Sequence, residues 1–249
     1  MWAKERHQRI LSMLDANRQV SANDLAGILD VSRETVRRDL LDLEEIGKVA
    51  RVHGGAVLPE ARTESPFRQR MTTQIRAKSE IAKKALSLIQ PGQTIMVDAG
   101  STTAVFAREL VKLPSVSVIT NSLDIATTLQ ADGREVILLG GRIAIDVPAT
   151  VGELTLSEIR RFEVELCFSA PVALHPEKGS FFYDLQEAEV SRAMAMQAVR
   201  SVILADHTKL GATSRVHSWD IEMTGTLVTN RAAPKALLDQ FRHVGLKVV

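Results

Sequence analysis

The segment Ser32–Gly55 restricts what this chain can fold into more than any other stretch of its 249 residues. It reads SRETVRRDLLDLEEIGKVARVHGG, which predicts a helix followed directly by a short strand and a glycine turn. The apolar residues of the helix repeat at the i, i+4, i+7 spacing of one buried stripe, namely Val36, Leu40 and Leu43. Ser32 is a typical N-cap, and Gly54-Gly55 permits the positive φ of a tight hairpin.

The exposed face of this helix and the strand behind it offer a basic surface. A short helix that presents Arg and Thr side chains from its first turns fits the major groove of DNA. The strand and its glycine turn form a wing, from which Arg51 is expected to reach a phosphate or the minor groove. The predicted DNA-binding residues are Ser32, Arg33, Thr35, Arg37, Arg38, Arg51, His53 and Gly54.

Two further helices are predicted before this one. Residues 4–15 carry apolar side chains at helical spacing, with Ile10 and Leu14 facing inward. Ser21 is expected to cap a second helix, and Asp30-Val31 makes the tight turn into the third. Two helices, a short turn, a basic helix and a wing constitute a winged helix-turn-helix domain, which we assign to residues 1–57.

Composition excludes several classes of protein. Lys and Arg number 31 and Asp and Glu 30, so the chain as a whole is not basic. Its positive charge for DNA is concentrated on the predicted helix and wing. No apolar run approaches the ~20 residues that span a bilayer, and the charged N-terminus precedes an amphipathic helix. We therefore expect a cytoplasmic protein without a membrane partner, and Cys167 in a buried strand. No zinc-ligand cluster or P-loop is visible, so neither a metal nor another cofactor is expected.

The pattern changes twice after the wing. Residues 58–76 contain Pro59 and Pro66 without clear periodicity, which predicts a linker. Residues 77–249 alternate short apolar strands with helices, which predicts an α/β domain built on a mostly parallel sheet with both faces covered. A long helix is expected over Leu185–Arg200, followed by a strand from Val202.

Polar clusters follow three successive strands of this sheet, at the strand ends where parallel sheets bind ligands. These clusters are Asp98–Thr103, Thr120–Ser122 and Gly140–Arg142. Hydroxyl groups, glycines and the free N–H groups of a helix start together form an anion cradle. Each cluster alone is also compatible with plain helix capping, whereas three in succession favour a phosphate site. Lys209 follows a later strand and could reach such a phosphate.

Motifs in both parts of the chain resemble those of DeoR-type bacterial transcriptional regulators. SRETVRRDL and RVHGGA resemble the DNA-binding domain, and DAGSTT, VITNSL, LLGG, DLQEAEVSRAM and ADHTKLG resemble the sensor domain. The resemblance implies a sensor related in fold to ribose-5-phosphate isomerase that binds a phosphorylated sugar or sugar derivative. With the strand-end Asp98 included, the expected effector-binding residues are Asp98, Gly100, Ser101, Thr102, Thr103, Asn121, Gly141, Asp184, Glu187 and Lys209.

These features predict a DNA-binding transcriptional regulator rather than an enzyme. The resemblance implies a repressor of a carbohydrate-metabolism operon that the phosphorylated sugar releases from operator DNA, and activation stays open. A homodimer or homotetramer is expected, because one recognition helix makes too few base contacts for specific binding.

Alternative interpretations stay open from the residues alone. A sugar-phosphate isomerase-like enzyme with a DNA-binding appendage would use Asp98, Asp184 or Glu187 as its acid or base. A winged helix that contacts only protein would not retain DNA. The aromatic run Phe181–Tyr183 is compatible with the core and with the mouth of the effector pocket.

Overall fold

Two compact units divide the chain, Met1–Thr63 and Glu64–Val249. The computed structural model describes residues 2–17, 19–45, 48–52, 54–57, 64–113 and 115–249. Each unit buries a hydrophobic core of its own, as expected of separate domains.

The N-terminal unit consists of helices and a small β-wing. Its elements are α1 (Ala3–Asn17), β1 (Gln19–Ser21), α2 (Ala22–Leu29), α3 (Arg33–Glu45), β2 (Ala50–Val52) and β3 (Gly55–Val57). The apolar stripes of the helices meet in one core, which includes Ile10, Leu14, Leu25, Leu29, Val36, Leu40 and Leu43. The predicted winged helix-turn-helix is confirmed.

Two serine N-caps and one left-handed residue mark the helix ends at the predicted positions. Ser21 Oγ accepts the N–H of Asp24 at 3.0 Å, and Ser32 Oγ accepts the N–H of Thr35 at 3.1 Å. Both are N-caps that satisfy backbone donors left free at a helix start. Asp30 ends α2 in the left-handed conformation, with φ of 51°.

The wing differs from the prediction in two respects. It is a three-stranded antiparallel sheet in the order β1-β3-β2, because Gln19–Ser21 pairs with β3. Only Gly54 has a positive φ, of 88°. Gly55 is needed for close approach instead, since a Cβ there would lie 2.0 Å from the carbonyl oxygen of Val20.

A buried ion pair joins α1 to α3. Arg6 donates from Nε and Nη2 to the two carboxylate oxygens of Asp39, at 2.7 and 2.9 Å. His7 Nε2 lies 3.1 Å from the same carboxylate. Asp39 is only 2% exposed, and a carboxylate at that depth requires such partners. The sequence analysis did not identify this contact.

The second unit is an α/β domain. Its elements are α4 (Phe67–Arg70), α5 (Ile75–Leu86), β4 (Thr94–Val97), α6 (Ser101–Leu110), β5 (Ser117–Thr120), α7 (Leu123–Ala131), β6 (Val136–Leu138), β7 (Arg142–Ile143), β8 (Thr150–Val151), α8 (Glu153–Ile159), β9 (Val164–Ser169), β10 (Ala173–His175), β11 (Gly179–Phe182), α9 (Leu185–Met196), β12 (Ala198–Leu204), β13 (Val216–His217), β14 (Thr226–Val228), α10 (Lys235–His243) and β15 (Lys247–Val248). Short 3₁₀ helices cover His207–Lys209 and Ile221–Met223.

A parallel sheet of seven strands forms the centre of this unit, in the order β15-β14-β12-β9-β4-β5-β6. Both of its faces are covered. In β4, Ile95 and Val97 pack into one hydrophobic cluster with α5 and α6, while Met96 packs into another with α9. The predicted α/β class is confirmed. Parallel pairing brings the carboxyl ends of all seven strands to one edge, where the predicted polar clusters lie.

The predicted linker 58–76 is wrong in its second half. Residues 58–63 lie outside the described residues, but Glu64 already belongs to the second unit. The segment contains α4 and the first two residues of α5. A four-residue helix is too short to show an apolar period, and this is why the pattern did not indicate it.

The predicted helix Leu185–Arg200 is too long at its C-terminal end. Helix α9 ends at Met196, and β12 begins at Ala198, earlier than the expected Val202. Pairing with β9 decides this boundary, because Ala198 lies opposite Val164 and Arg200 opposite Leu166. Tertiary pairing overrides the local helical pattern here.

Two residues of the aromatic run belong to the core. Phe181 and Phe182 are buried in β11, in a small antiparallel sheet with β10 and β13. Tyr183 is half-buried. Cys167 is fully buried in β9 as predicted, and burial raises the pKa of its thiol well above the ordinary value. Within the described ranges, no helix is both long and apolar enough to cross a membrane.

The close approach at Gly55 provides a stability test. We expect Gly55→Ala to lower the free energy of unfolding of the N-terminal unit by about 1–3 kcal/mol, as overpacking does. Gly27→Ala is the matched control, because Gly27 lies inside α2 with open space at its Cβ position. That variant should instead raise stability by about 0.5–1 kcal/mol through helix propensity. Chemical denaturation monitored by circular dichroism measures both, and equal effects would refute the close-approach argument.

Candidate functional site

The exposed face of α3 carries most of the predicted DNA-binding residues. Arg33, Arg37 and Arg38 are exposed on this helix, Ser32 is exposed at its start, and Thr35 is half-buried beside it. The hydroxyl groups of Ser32 and Thr35 lie 2.9 Å apart. The helix therefore presents three guanidinium groups and two hydroxyl groups from its first two turns, which is chemistry that base edges and phosphates accept.

An acidic residue lies among these arginines. Glu34 accepts hydrogen bonds from Nε and Nη2 of Arg37 at 3.1 and 3.2 Å, and Arg38 Nε lies 3.8 Å away. The hydrogen bond from Arg37 lowers the pKa of Glu34. Because these pairs are exposed, they exchange readily for contacts to another anion.

Two further predicted DNA-binding residues, Arg51 and Gly54, lie in the wing of the same unit. Glu44 of α3 accepts the backbone N–H of Arg51 at 3.1 Å, and its carboxylate lies 3.3 Å from Arg51 Nε. The end of α3 is therefore bonded to the wing. Gly54 is exposed at the turn, and the predicted contact residue His53 lies outside the described residues.

In the second unit, the loop from β4 to α6 has the composition of an anion cradle. Gly100 is the N-cap of α6 and has extended backbone, and Ser101, Thr102 and Thr103 are all buried. Thr103 Oγ1 donates to the carbonyl of Gly100, three residues earlier, at 3.0 Å. Thr102 Oγ1 is buried and has no hydrogen-bond partner among the described residues. A buried hydroxyl without a partner is unfavourable unless a ligand satisfies it.

A buried lysine that was not among the predicted site residues contacts this loop. Lys78 of α5 is 4% exposed, and its Nζ donates to Ser101 Oγ at 2.9 Å and to the carbonyl of Arg70 at 2.5 Å. Burial, with the nearby charge of Lys209, lowers the pKa of Lys78 to about 8. A signal was available, because Lys78 precedes the buried Ile81 and Ala82 by three and four residues and so shares their helix face.

An ion pair from the segment predicted as linker also reaches this region. Glu64 Oε1 lies 2.5 Å from Arg70 Nη1, and their side chains are only 16% and 15% exposed. Burial raises the pKa of Glu64, while Arg70, Lys209 and Lys78 act in the opposite direction. The charges of all four residues therefore lie close enough to influence one another.

Lys209 brings a further cation from the loop after β12. Its Nζ donates to the carbonyl of Pro171, which follows β9, at 2.8 Å. Burial lowers the pKa of Lys209, while the nearby carboxylates of Asp206, Glu64 and Asp98 raise it. We name Arg70, Lys78 and Lys209 the cation cluster.

Asp98 braces the strand ends. Ser169 Oγ donates to Asp98 Oδ2, and the N–H of Ala170 donates to Oδ1 at 3.2 Å. Ser169 in turn contacts Ser191 of α9 at 2.7 Å. Burial raises the pKa of Asp98 to about 7 against these hydrogen bonds. Because both oxygens are already bonded within the protein, its principal visible role is to join β4 to β9.

The first turn of α9 contains two predicted carboxylates with different surroundings. Asp184 is an exposed N-cap whose Oδ1 accepts the N–H groups of Gln186 and Glu187 at 2.9 and 3.1 Å. Glu187 is half-buried, and burial, followed by the charge of Glu64, raises its pKa to about 8. Glu187 therefore faces the charged cluster, whereas Asp184 acts visibly as a helix cap.

Asn121 and Gly141 lie along the β5–β6 side of the same edge. Asn121 Nδ2 donates to the carbonyl of Thr150 at 2.9 Å. Its Oδ1 is buried, and no group in the described part of the chain bonds to it. Gly141 is exposed with φ of 147°, and a Cβ there would lie 2.1 Å from Thr155 Oγ1. Glycine is thus required at 141 by packing against α8, whatever its part in binding.

The structure therefore brings the 98–103 loop, Glu187 and Lys209 into one charged region and adds Glu64, Arg70 and Lys78 to it. Three cations beside buried hydroxyl groups and a helix N-terminus can hold an anion of more than one charge. Among the described residues, the ligand atoms of His7, Asp39 and Asp42 lie close enough to hold a metal ion. Asp39 there is already bonded to Arg6.

Two protein-family models match this chain. The model of the DeoR-like helix-turn-helix domain matches residues 6–62. The model of the DeoR C terminal sensor domain matches residues 73–231. Together they span both units.

Curated proteins similar to this chain are regulators. They include the HTH-type transcriptional regulator GolR of Listeria innocua serovar 6a, 35% identical over 100% of this chain and 98% of that protein. The HTH-type transcriptional repressor GlcR of Bacillus subtilis is 30% identical over 100% and 96%. The Glycerol-3-phosphate regulon repressor of Escherichia coli (strain K12) is 28% identical over 98% of each chain.

Solved structures also align with this chain, at lower identity. The tetrameric eIF2B-beta2-delta2 complex from C. thermophilum aligns with a TM-score of 0.50 and 14% identity over 94% of this chain and 70% of that chain. Ribose 5-phosphate isomerase A from Methanocaldococcus jannaschii aligns with a TM-score of 0.41 and 20% identity over 55% of each.

The pKa values in the charged region predict how anion binding depends on pH. As pH rises from about 6 to about 9, Asp98 and Glu187 ionise and Lys78 loses its proton, so the region becomes more negative. We expect affinity for sulfate, whose charge is constant in this range, to fall about tenfold or more, since one contact to a charged group contributes about 1.5–3 kcal/mol.

Isothermal titration of the full chain with sulfate measures this dependence. Lys78→Met should remove most of the binding. Lys83→Met is the matched control, because Lys83 is an exposed lysine of the same helix. Sulfate affinity that is constant across this pH range would contradict the assignment of these groups to one anion site.

Proposed function

The chain belongs to the DeoR family of transcriptional regulators, and from this premise we propose that it represses a carbohydrate-metabolism operon and leaves its operator when a phosphorylated sugar binds the second unit. The cation cluster beside the 98–103 loop is the observation that carries this proposal. The cluster supplies three positive charges, and the loop supplies buried hydroxyl groups and a helix N-terminus. Both lie at the edge where parallel sheets bind ligands.

The ligand class follows from this chemistry. A phosphoryl group carries two negative charges near neutral pH and several acceptor oxygens, which match ammonium, guanidinium and hydroxyl donors. Carboxylates such as Glu187 and Asp184 can accept hydrogen bonds from sugar hydroxyl groups. The name of the Escherichia coli relative, a repressor of the glycerol-3-phosphate regulon, also indicates small phosphorylated metabolites. We therefore infer a phosphorylated sugar or sugar derivative as effector.

The DNA-binding surface that we propose consists of the exposed face of α3 and the wing. Arg33, Arg37 and Arg38 supply cations for base edges and phosphates, and Arg51 supplies one from the wing. On this proposal, Glu34 keeps two of the guanidinium groups together until DNA replaces it.

Paired copies of the chain complete the proposed mechanism. A homodimer or homotetramer places two recognition helices on repeated half-sites, whose centres lie about 10–10.5 bp or a multiple apart. The effector acts because it binds one arrangement of the regulator more tightly than another, which changes the population that can hold both half-sites.

An isomerase-like enzyme is not favoured. The curated relatives that match the chain over its length are transcriptional regulators. Asp98, a candidate acid or base for such chemistry, has both oxygens engaged by Ser169 and Ala170.

Substitution of Arg38 tests the DNA-binding surface. We expect Arg38→Ala to weaken operator binding by roughly 10- to 100-fold and to reduce selectivity over scrambled DNA, as loss of a bidentate base contact does. Arg51→Ala should weaken both DNAs by similar factors, as loss of a phosphate contact does. Arg108→Ala, an exposed arginine of α6, removes the same charge and should change neither. Competition gel shifts measure all three, and unchanged operator affinity of Arg38→Ala would refute the surface.

Substitution of the loop hydroxyl groups tests the effector site. A screen of phosphorylated sugars and glycerol 3-phosphate should find a ligand that raises stability by about 2.7 kcal/mol at about 100 times its Kd. Ser101→Ala with Thr102→Ala should abolish that thermal shift and leave operator affinity intact. The control pairs Thr127→Ala with Ser157→Ala, two exposed hydroxyl groups that contact only backbone carbonyls in the described contacts. A normal shift in the Ser101 and Thr102 variant would place the phosphate elsewhere.

A further inference from the structure

Glu64 lies at the N-terminal end of the second unit and also beside the candidate anion site. It is the first residue of the second unit, and the chain before it leads to the N-terminal unit. Its carboxylate contacts Arg70 at 2.5 Å, and the charges of Lys78 and Lys209 also act on it. A side chain at the N-terminal end of the unit thus contacts one member of the cation cluster and lies within reach of the charges of the other two.

The segment behind Glu64 is bonded to the 98–103 loop through Lys78. Arg70 Nε donates to the carbonyl of Ser65 at 2.9 Å, which holds the segment 64–70 as a closed turn. The carbonyl of Arg70 accepts from Lys78 Nζ, and the same Nζ donates to Ser101 Oγ. Contacts therefore run without interruption from the first residue of the unit to the loop that we assign to the phosphate.

The carboxylate of Glu64 is in an unfavourable place for a structural ion. It is 16% exposed, and burial and then the charge of Asp146 raise its pKa. Its own charge adds to burial in raising the pKa of Glu187. A carboxylate supplies one negative charge, whereas a phosphoryl group supplies up to two and more acceptor oxygens. The stronger charge-assisted hydrogen bonds belong to the phosphoryl group.

We propose that Glu64 occupies the anion position of the sensor site in the absence of effector, and that an anionic effector displaces it from Arg70. This inference rests on the proposed function and names its regulation. Displacement of Glu64 frees the N-terminal end of the second unit, from which the chain leads to the DNA-binding domain. Effector binding is therefore communicated to that end by the loss of the Glu64–Arg70 ion pair. The effector is a competitor of an internal anion rather than a ligand of an empty pocket.

Glu64→Gln tests this competition, because it keeps the shape of the side chain and removes its charge. Inorganic phosphate is the probe, titrated calorimetrically into the full chain. If Glu64 leaves only about a tenth of the sites open, its neutralisation should lower the Kd for phosphate roughly tenfold, since the apparent Kd is the intrinsic Kd divided by the open fraction. Asp146→Asn is the matched control, because Asp146 is exposed and its charge acts on Glu64, but among the described contacts it does not touch Arg70. It should change the Kd by less than about twofold.

Operator binding supplies a second readout. Without phosphate, Glu64→Gln should bind the operator more weakly than the wild type, although the lost negative charge by itself would favour DNA binding. If the Glu64–Arg70 ion pair were purely structural, its loss in Glu64→Gln would not tighten phosphate binding. If Glu64→Gln does not fold, Glu64→Asp, which retracts the carboxylate by one methylene, should show the same direction of both changes.

The outcomes separate this proposal from the proposed function. If the wild type binds phosphate or a phosphorylated sugar and Glu64→Gln binds no tighter than Asp146→Asn, the competition is refuted while the effector site stands. If neither the wild type nor the variants bind phosphate or any phosphorylated sugar tested, the anion site itself is refuted, and the competition with it.

Discussion

The proposed effector site depends on two hydrogen bonds that the buried ammonium group of Lys78 donates. They join Ser101 at the start of α6 to the carbonyl of Arg70, and so position the segment 64–70 beside the loop. An ammonium group at 4% exposure is costly unless its donors are satisfied, and burial accordingly lowers its pKa to about 8. Such a group is available to an incoming anion, which would restore the favourable surroundings of its charge.

The parallel sheet makes this arrangement possible. Its strands end at one edge, so groups from β4, β9 and β12 meet although they are separated along the chain. Asp98 and Ser169 join two of these ends, and Lys209 joins the third to Pro171. The carboxylates and cations at this edge are held by a covered sheet, and their mutual charge effects follow from that rigid placement.

The same principle of exchangeable ion pairs applies to the two proposed surfaces. On α3, Glu34 pairs with Arg37 at the exposed surface, and in the second unit Glu64 pairs with Arg70 at low exposure. The exposed pair contributes little stability and is readily exchanged. The pair in the second unit is screened less by solvent, and on our proposal a ligand with more than one negative charge displaces Glu64 from it. Asp39 differs from both, because it is 2% exposed and serves to hold α3 against α1.

The sequence by itself determined the winged helix, its caps at Ser21 and Ser32, the α/β class and the loops at the strand ends, because periodicity and turn chemistry act over a few residues. It did not determine which charges meet. Lys78 and Ser101 are 23 residues apart, and Arg6 and Asp39 are 33 apart, so no local pattern relates them. The segment 64–70 resembled a linker because it has no apolar stripe, and it joins the domain through an ion pair and backbone carbonyls. Only the tertiary structure decided these contacts, since they depend on the packing of distant elements rather than on local preference.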